Sequence, residues 1–132
     1  MADTLQFDLV SPERKLASVA ATSVQIPGMD GDFTAMPNHA PFLTTLRPGI
    51  VRVVAGTETT EYVVTGGFAE ISPTAATILA EQAMPRAEAS SLLVSDLLEA
   101  AEKQLAAAPQ DGRMAAHQRV RDVGALKGVL GL

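Results

Sequence analysis

The stretch Gly28-Met29-Asp30-Gly31-Asp32-Phe33-Thr34-Ala35-Met36-Pro37-Asn38-His39-Ala40-Pro41-Phe42-Leu43-Thr44-Thr45-Leu46-Arg47-Pro48-Gly49 decides how the rest of the chain reads. Three glycines and three prolines fall within these 22 residues, and the apolar segments between them are short. Glycine permits backbone angles other residues resist, while proline fixes φ and withholds a ladder donor. At this density they cut the chain into brief strands, around Phe33–Met36 and Phe42–Leu46, joined by shaped turns. His39, flanked by small residues, sits in a loop suited to presenting a surface rather than filling a core.

The same grammar extends in both directions. Upstream, Leu5, Phe7 and Leu9 alternate with Gln6 and Asp8, the period of a half-buried strand. Ser11-Pro12-Glu13 interrupts it, Lys15–Val19 reads as a second strand, and Thr22–Ile26 as a third ending at Pro27-Gly28. Downstream, β-branched runs at Ile50–Val54 and Thr59–Thr65 flank Ala55-Gly56-Thr57-Glu58, a hairpin signal. Gly66-Gly67 marks a bulge or a close backbone approach. Phe68–Ile71 and Ala76–Ala80 follow, giving eight to ten short strands by residue 83, the spacing of a β-sandwich or barrel.

At Pro85 the period changes. Leu93, Leu97, Ala101, Leu105 and Ala108, widened by Val94 and Leu98, form the stripe of an amphipathic, alanine-rich helix. Pro109-Gln110-Asp111-Gly112 ends it. A second helical pattern follows, with Met114, Val120, Val123 and Leu126 on its sparse apolar side. Gly124, Gly128 and Gly131 weaken that helix, so its tail is expected to fray. The expected organisation is therefore a β-sandwich domain at 1–84 and a C-terminal α-helical hairpin at 85–132.

Composition narrows the function. The 132 residues are 47% hydrophobic, with no Trp, one Tyr and no Cys. Disulfides and cysteine-based metal sites are excluded, and a reducing compartment is suited. Met1-Ala2-Asp3-Thr4 has neither the basic nor the apolar region of a secretory leader. No apolar run approaches the roughly 20 residues of a membrane-spanning helix, so a soluble protein is expected, with membrane association only through a partner. The net charge is −5, with nine acids against four bases in residues 1–85. That front argues against nucleic acid and would suit a basic protein partner, although an acidic excess also serves solubility alone.

The supply of catalytic chemistry is thin. His39 and His117 lie in no nucleophile or metal motif, so no catalytic residue, metal or cofactor is assigned. Gly28-x-x-Gly31 lacks the lysine and helix of a phosphate cradle. Asp30-Gly31-Asp32 starts like a calcium loop but lacks the later acidic ligand, and an acidic turn is the better reading. Arg113, His117 and Arg121, spaced four apart, line one helix face, either a solvated surface or a functional one.

Three segments make the chain recognisable: Leu9-Val10-Ser11-Pro12-Glu13, the loop from Pro27-Gly28 through Pro37-Asn38-His39-Ala40-Pro41-Phe42-Leu43-Thr44, and Arg47-Pro48-Gly49. Together they resemble the epsilon subunits of bacterial F-type ATP synthases, counterparts of the mitochondrial delta subunit of F1. Gly66-Gly67-Phe68-Ala69-Glu70-Ile71 and Ile78-Leu79-Ala80-Glu81-Gln82-Ala83 extend the resemblance, which is strong over 4–84 and holds for the tail in outline. It implies a ten-stranded β-sandwich and a helical hairpin. The function implied is that of a non-catalytic central-stalk rotor subunit, fixed to gamma and resting on the c ring, which couples proton passage to ATP synthesis. The implied location is the cytoplasmic face of the bacterial membrane, peripheral, with the membrane reached only through the Fo sector.

Carried over by position, the resemblance places Asp30, Asp32, Phe33 and His39 at the c-ring interface, and Ser11 and Thr44 near gamma. An acid facing basic loop residues would set register and specificity there. In many bacteria the hairpin also extends to inhibit ATP hydrolysis through the beta or alpha subunits. Here the tail departs from that pattern. Ser90 and Leu93 stand where ATP-binding members carry aspartate and arginine, so ATP binding is not expected. Leu98 and Glu99 replace basic residues that engage the beta subunit in some relatives, leaving Arg113, His117 and Arg121 as the candidate regulatory face. The competing reading is a free-standing β-sandwich that binds a ligand or acts as an inhibitory module; its pocket would need more aromatic lining than this composition supplies.

Overall fold

The alternating and β-branched runs fold as ten strands in a computed structural model that describes residues 3–131. Met1 and Ala2, at the head of the segment read for a leader, and Leu132, the end of the expected hairpin domain, lie outside the described residues. The strands are β1 (Leu5–Val10), β2 (Lys15–Ala21), β3 (Ser23–Gly28), β4 (Gly31–Ala35), β5 (Phe42–Leu46), β6 (Gly49–Ala55), β7 (Glu58–Val64), β8 (Gly67–Ile71), β9 (Ala75–Ala80) and β10 (Ala83–Pro85). The chain divides into two compact units, one ending at Arg86 and the other beginning at Ala87.

Hydrogen bonding follows one path, β10-β7-β6-β3-β5-β8-β9-β1-β2, with β4 paired to β3. Between β3 and β5 this path narrows to a single residue pair, Gly28 with Leu46. That seam divides the path into two layers of a β-sandwich. Their inner faces share one core in which Phe7, Leu9, Val24, Ile26, Val51, Ile71 and Ile78 are fully or almost fully buried. Most neighbouring strands are antiparallel, but β1 and β9 run parallel, with Phe7 opposite Ala76.

The tenth strand escaped the sequence pattern. Ala83, Met84 and Pro85 pair with Val64, Val63 and Tyr62 at the edge of one layer. Three residues are too few to show a period, and the proline is tolerated because the strand lies at an edge. Gly67 fulfils the expected close backbone approach. Its φ is +130°, and a Cβ there would lie 2.1 Å from the Leu79 carbonyl oxygen.

A 3-10 turn (Arg86–Glu88) begins at the last residue of the first unit; the second unit holds α1 (Ser91–Ala107), a further 3-10 turn (Gln110–Gly112) and α2 (Arg113–Val129). The two helices pack on each other. Val94 and Ala101 of α1 and Val123 and Leu126 of α2 are buried. Helix α2 runs through Gly124 and Gly128 and ends at Val129, before Gly131; the buried Val123 and Leu126 offset the roughly 1 kcal/mol that each glycine costs a helix. One expectation changes here: Met114 does not join the apolar side, and is 82% exposed.

Candidate interaction site

Two surfaces on the β-sandwich combine unusual exposure with ordered backbone. The first is a band across the outside of one layer. Alternation in β8 and β9 turns Ala69, Ile71, Ala76 and Ile78 inward, which leaves Phe68 and Leu79 facing out. Phe68 lies directly opposite Leu79, with Thr45 on its other side, and Leu79 is opposite Val10 of β1. Leu43 stands two pairs further along β5 on the same face, opposite Glu70. Leu43 is 68% exposed, and Phe68 and Leu79 are each 54% exposed. A contiguous apolar patch on a sheet exterior is a feature of surfaces that become covered.

The second surface is a cleft of about 240 Å³ formed by the β3–β4 turn, Phe33, Phe42 and Thr44. Gly28 and Gly31 close the turn as a pair, leaving Met29 and Asp30 at its tip. The Phe33 and Phe42 rings meet edge to face, with centroids 5.3 Å apart at 88°. Three bonds hold the turn to the end of β5 and the residue after it. Met29 N–H donates to Thr45 O at 2.9 Å, Arg47 N–H donates to Pro27 O at 3.1 Å, and Arg47 Nη1 donates to Gly28 O at 2.7 Å. The second guanidinium nitrogen of Arg47 donates to the Asp32 carboxylate in an ion pair.

Asp30, Asp32 and Phe33 thus gather at one cleft. His39 lies behind them, its ring 6.4 Å from that of Phe33, and its Nδ1 is 2.6 Å from Ala40 O. That distance makes Nδ1 the protonated nitrogen, donating to the carbonyl. Thr44 lines the same cleft, on the opposite side of β5 from Leu43, so β5 contributes to both surfaces. Ser11 is elsewhere, in the turn after β1. It is buried, and both its N–H (2.9 Å) and its Oγ (3.3 Å) donate to Arg14 O.

On α2, Arg113, His117 and Arg121 do converge, lining an open groove of about 500 Å³ with Gln110 and Met114. Arg121 Nη2 donates to Gln118 Oε1 at 2.9 Å. At the head of α1, Ser90 Oγ accepts from Leu93 N–H at 3.2 Å, so this serine is the helix N-cap. Asp8, on the outer row of β1, has its carboxyl held below the usual range. The Ser18 hydroxyl across the β1–β2 ladder is the main cause; burial opposes it, and Gln6 and then Lys15 add to the lowering.

Sequence reasoning missed the apolar band and Arg47. Leu43, Phe68 and Leu79 come from three strands and share no motif. In the sequence Arg47 stands out only as part of the Arg47-Pro48-Gly49 segment that carries the resemblance.

A sandwich of this topology followed by a helical pair defines a class. Residues 4–86 match the family described as ATP synthase, Delta/Epsilon chain, beta-sandwich domain, and the chain belongs to that family. It is 52% identical over 126 residues to the ATP synthase epsilon chain of Rhodobacter capsulatus, covering 96% of each chain. It is 53% identical over 131 residues to that of Fuscovulum blasticum, covering 99% of each. Its fold is similar to that of a chain in the Euglena gracilis mitochondrial ATP synthase OSCP/F1/c-ring structure (TM-score 0.75, 20% identity, 98% of this chain and 83% of that one). It is also similar to a chain of the Tetrahymena thermophila mitochondrial ATP synthase central stalk/c-ring structure (TM-score 0.63, 17% identity, 92% and 94%).

Proposed function

We propose that this chain is a non-catalytic central-stalk subunit of a proton-translocating ATP synthase, bound to the gamma subunit and seated on the c ring at the cytoplasmic face of the membrane. The observation that carries this reading beyond family membership is the outer apolar band of Leu43, Phe68 and Leu79. A rotor element must transmit torque, so it needs a broad, rigid contact, and a sheet exterior with exposed apolar side chains supplies one. In this reading gamma covers the band and Ser11 follows Val10 at its margin, while Asp30, Asp32, Phe33 and His39 face the c ring; Thr44, expected near gamma, lies across β5 from the band and lines the cleft instead. Among the described residues no helix is long and apolar enough to cross a membrane. The residues supply docking chemistry, and the bond changes belong to other subunits.

The test is co-purification from membranes after Leu43→Asp and Phe68→Asp. These sites already face outward, so the folded β signal by circular dichroism is expected to persist while recovery with gamma falls at least tenfold. Unchanged recovery with gamma would sink this placement.

The groove at Arg113, His117 and Arg121 supports a secondary role. In it the helical pair meets an acidic segment of the beta or alpha subunits and slows ATP hydrolysis. Ser90 and Leu93, committed to the N-cap, are assigned no part in binding ATP.

A further inference from the structure

On the outer face of the layer that holds β6, β7 and β10, one carboxylate stands between two guanidinium groups. Val51 and Tyr62 pair across β6 and β7 and turn inward, Val51 buried and Tyr62 packed against the core. The next pair, Arg52 with Glu61, therefore faces out. On the far side of β7, Pro85 of β10 pairs with Tyr62, so Arg86 follows in the position opposite Glu61. Arg86 Nη1 donates to Glu61 Oε1 at 3.1 Å in an ion pair, with the two side chains 39% and 33% exposed. Arg52 is exposed, and among the described residues no hydrogen bond or ion pair engages its guanidinium. Residues directly opposite each other on neighbouring strands have Cβ atoms roughly 5 Å apart, within reach of two long side chains. Glu61 thus has one partner engaged and a second in place.

The strand that leads to Arg86 is the shortest in the sheet. β10 has three residues, lies at an edge and is bonded on one side only, to β7. Thr65 N–H, donating to Gln82 O at 3.1 Å, holds its approach, and the Glu61–Arg86 pair ties its far end, where the first compact unit stops. We infer that β10 is a releasable clasp at the exit of the sandwich, and that Glu61 changes partner as the clasp opens. Arg86 holds the carboxylate in the closed state, and Arg52 takes it when Arg86 leaves. Because one guanidinium replaces another, opening strands no charge, and the two states stay close in free energy, as a switching element requires. In the closed state Arg52 and Arg86 flank one carboxylate, and their mutual repulsion narrows the gap further. Opening frees Ala83–Arg86 from β7 and adds roughly 13 Å to the connector, at about 3.3 Å per residue. The helical pair then works on a longer tether, and any partner that needs the added reach favours the open clasp. The device lies in the sandwich's own residues and does not depend on which subunits cover the rest of the chain.

Hydrogen exchange of the purified full-length chain tests the clasp at the Val63 and Met84 amides, the middle pair of the β7–β10 ladder, with Val51 and Val53 as the reference in the same layer. Arg86→Gln is expected to speed exchange there roughly two- to fivefold, the range a partly exposed ion pair supports. Arg52→Gln is expected to slow it roughly two- to threefold, since the open state loses its replacement partner and the closed state loses a repulsion. Arg86→Lys should restore most of the protection, and about 1 M salt should bring the variants together. An ion pair with a merely structural role predicts no change, or faster exchange, for Arg52→Gln, and either result overturns the partner exchange. The connector is read by spin labels on exposed Thr57→Cys and Glu102→Cys, unique sites in a chain without cysteine. Arg86→Gln should add a longer-distance population that Arg52→Gln depletes. If exchange responds as expected while the distances do not, β10 opens without lengthening the tether and the inference fails.

Discussion

Replacing Gly67 with alanine tests the packing of the β-sandwich at its tightest point. Gly67 opens β8 and pairs with Leu46 on one side and Ala80 on the other. Its φ of +130° is one that L side chains rarely adopt, and holding a non-glycine residue in such a region costs about 1–3 kcal/mol. The added methyl would lie 2.1 Å from Leu79 O and 2.9 Å from Ala80 Cα. Both are backbone atoms of β9, so relief requires the β8–β9 ladder to open rather than a side chain to swing away. Overpacking of that kind costs roughly 1–3 kcal/mol more. The expected loss is about 4 kcal/mol, a large part of the 5–15 kcal/mol typical of a domain, and roughly 15–30 °C in Tm. Gly56→Ala is the internal control. Gly56 also has positive φ, +64°, but nothing lies within 4 Å of its Cβ position, so only the backbone cost of about 1–2 kcal/mol remains. The chain's one tyrosine, Tyr62, lies on β7 with its ring 6.5 Å from that of Phe7. Its fluorescence reports the β-sandwich separately from the helices during urea or thermal unfolding of the full chain. If Gly67→Ala falls within about 1 kcal/mol of Gly56→Ala, the steric reasoning is wrong.

Three further outcomes follow from individual side chains and from the helical unit. Asp8 has a lowered carboxyl pKa in the fold, so its contribution is present above the unfolded value of about 3.9 and is lost as pH falls through the folded value. Asp8→Asn should therefore be less stable than the parent near neutrality, and urea titrations at stepped pH should show the gap closing below about pH 4. Ser90→Ala removes the α1 N-cap and should cost about 1 kcal/mol, read as faster amide exchange in the first turn of α1 with the β-strand amides unaffected. Removing residues 87–132, the second compact unit, should leave gamma and c-ring association intact while raising ATP hydrolysis by the assembled enzyme. An unaltered hydrolysis rate would remove the regulatory role proposed for the helical pair.

Much of the fold was legible because its signals are local. Alternation at Leu5, Phe7 and Leu9, the Ala55–Glu58 hairpin signal and the change of period near Pro85 each depend on residues within a few positions of one another. Local signals failed where the deciding interaction was distant or too short to show a period. Ala83–Pro85 is a strand because Tyr62–Val64 offers it an edge. In Ile78-Leu79-Ala80 both faces are apolar, so the pattern by itself does not say that Leu79 points out.

The sequence by itself determined the strand and helix order, the acidic turn at Asp30–Asp32 and, through its motifs, the family. Tertiary structure alone decided which acid of that turn is free, because Asp32 finds its partner in Arg47, fifteen positions away. It also assembled Leu43, Phe68 and Leu79 into one band, since register across β5, β8 and β9 brings them together. Spacing along a chain specifies which face a side chain occupies within its own element. Which charges are neutralised and which apolar groups become neighbours depends on pairing between elements, and that pairing exists only once the chain has folded.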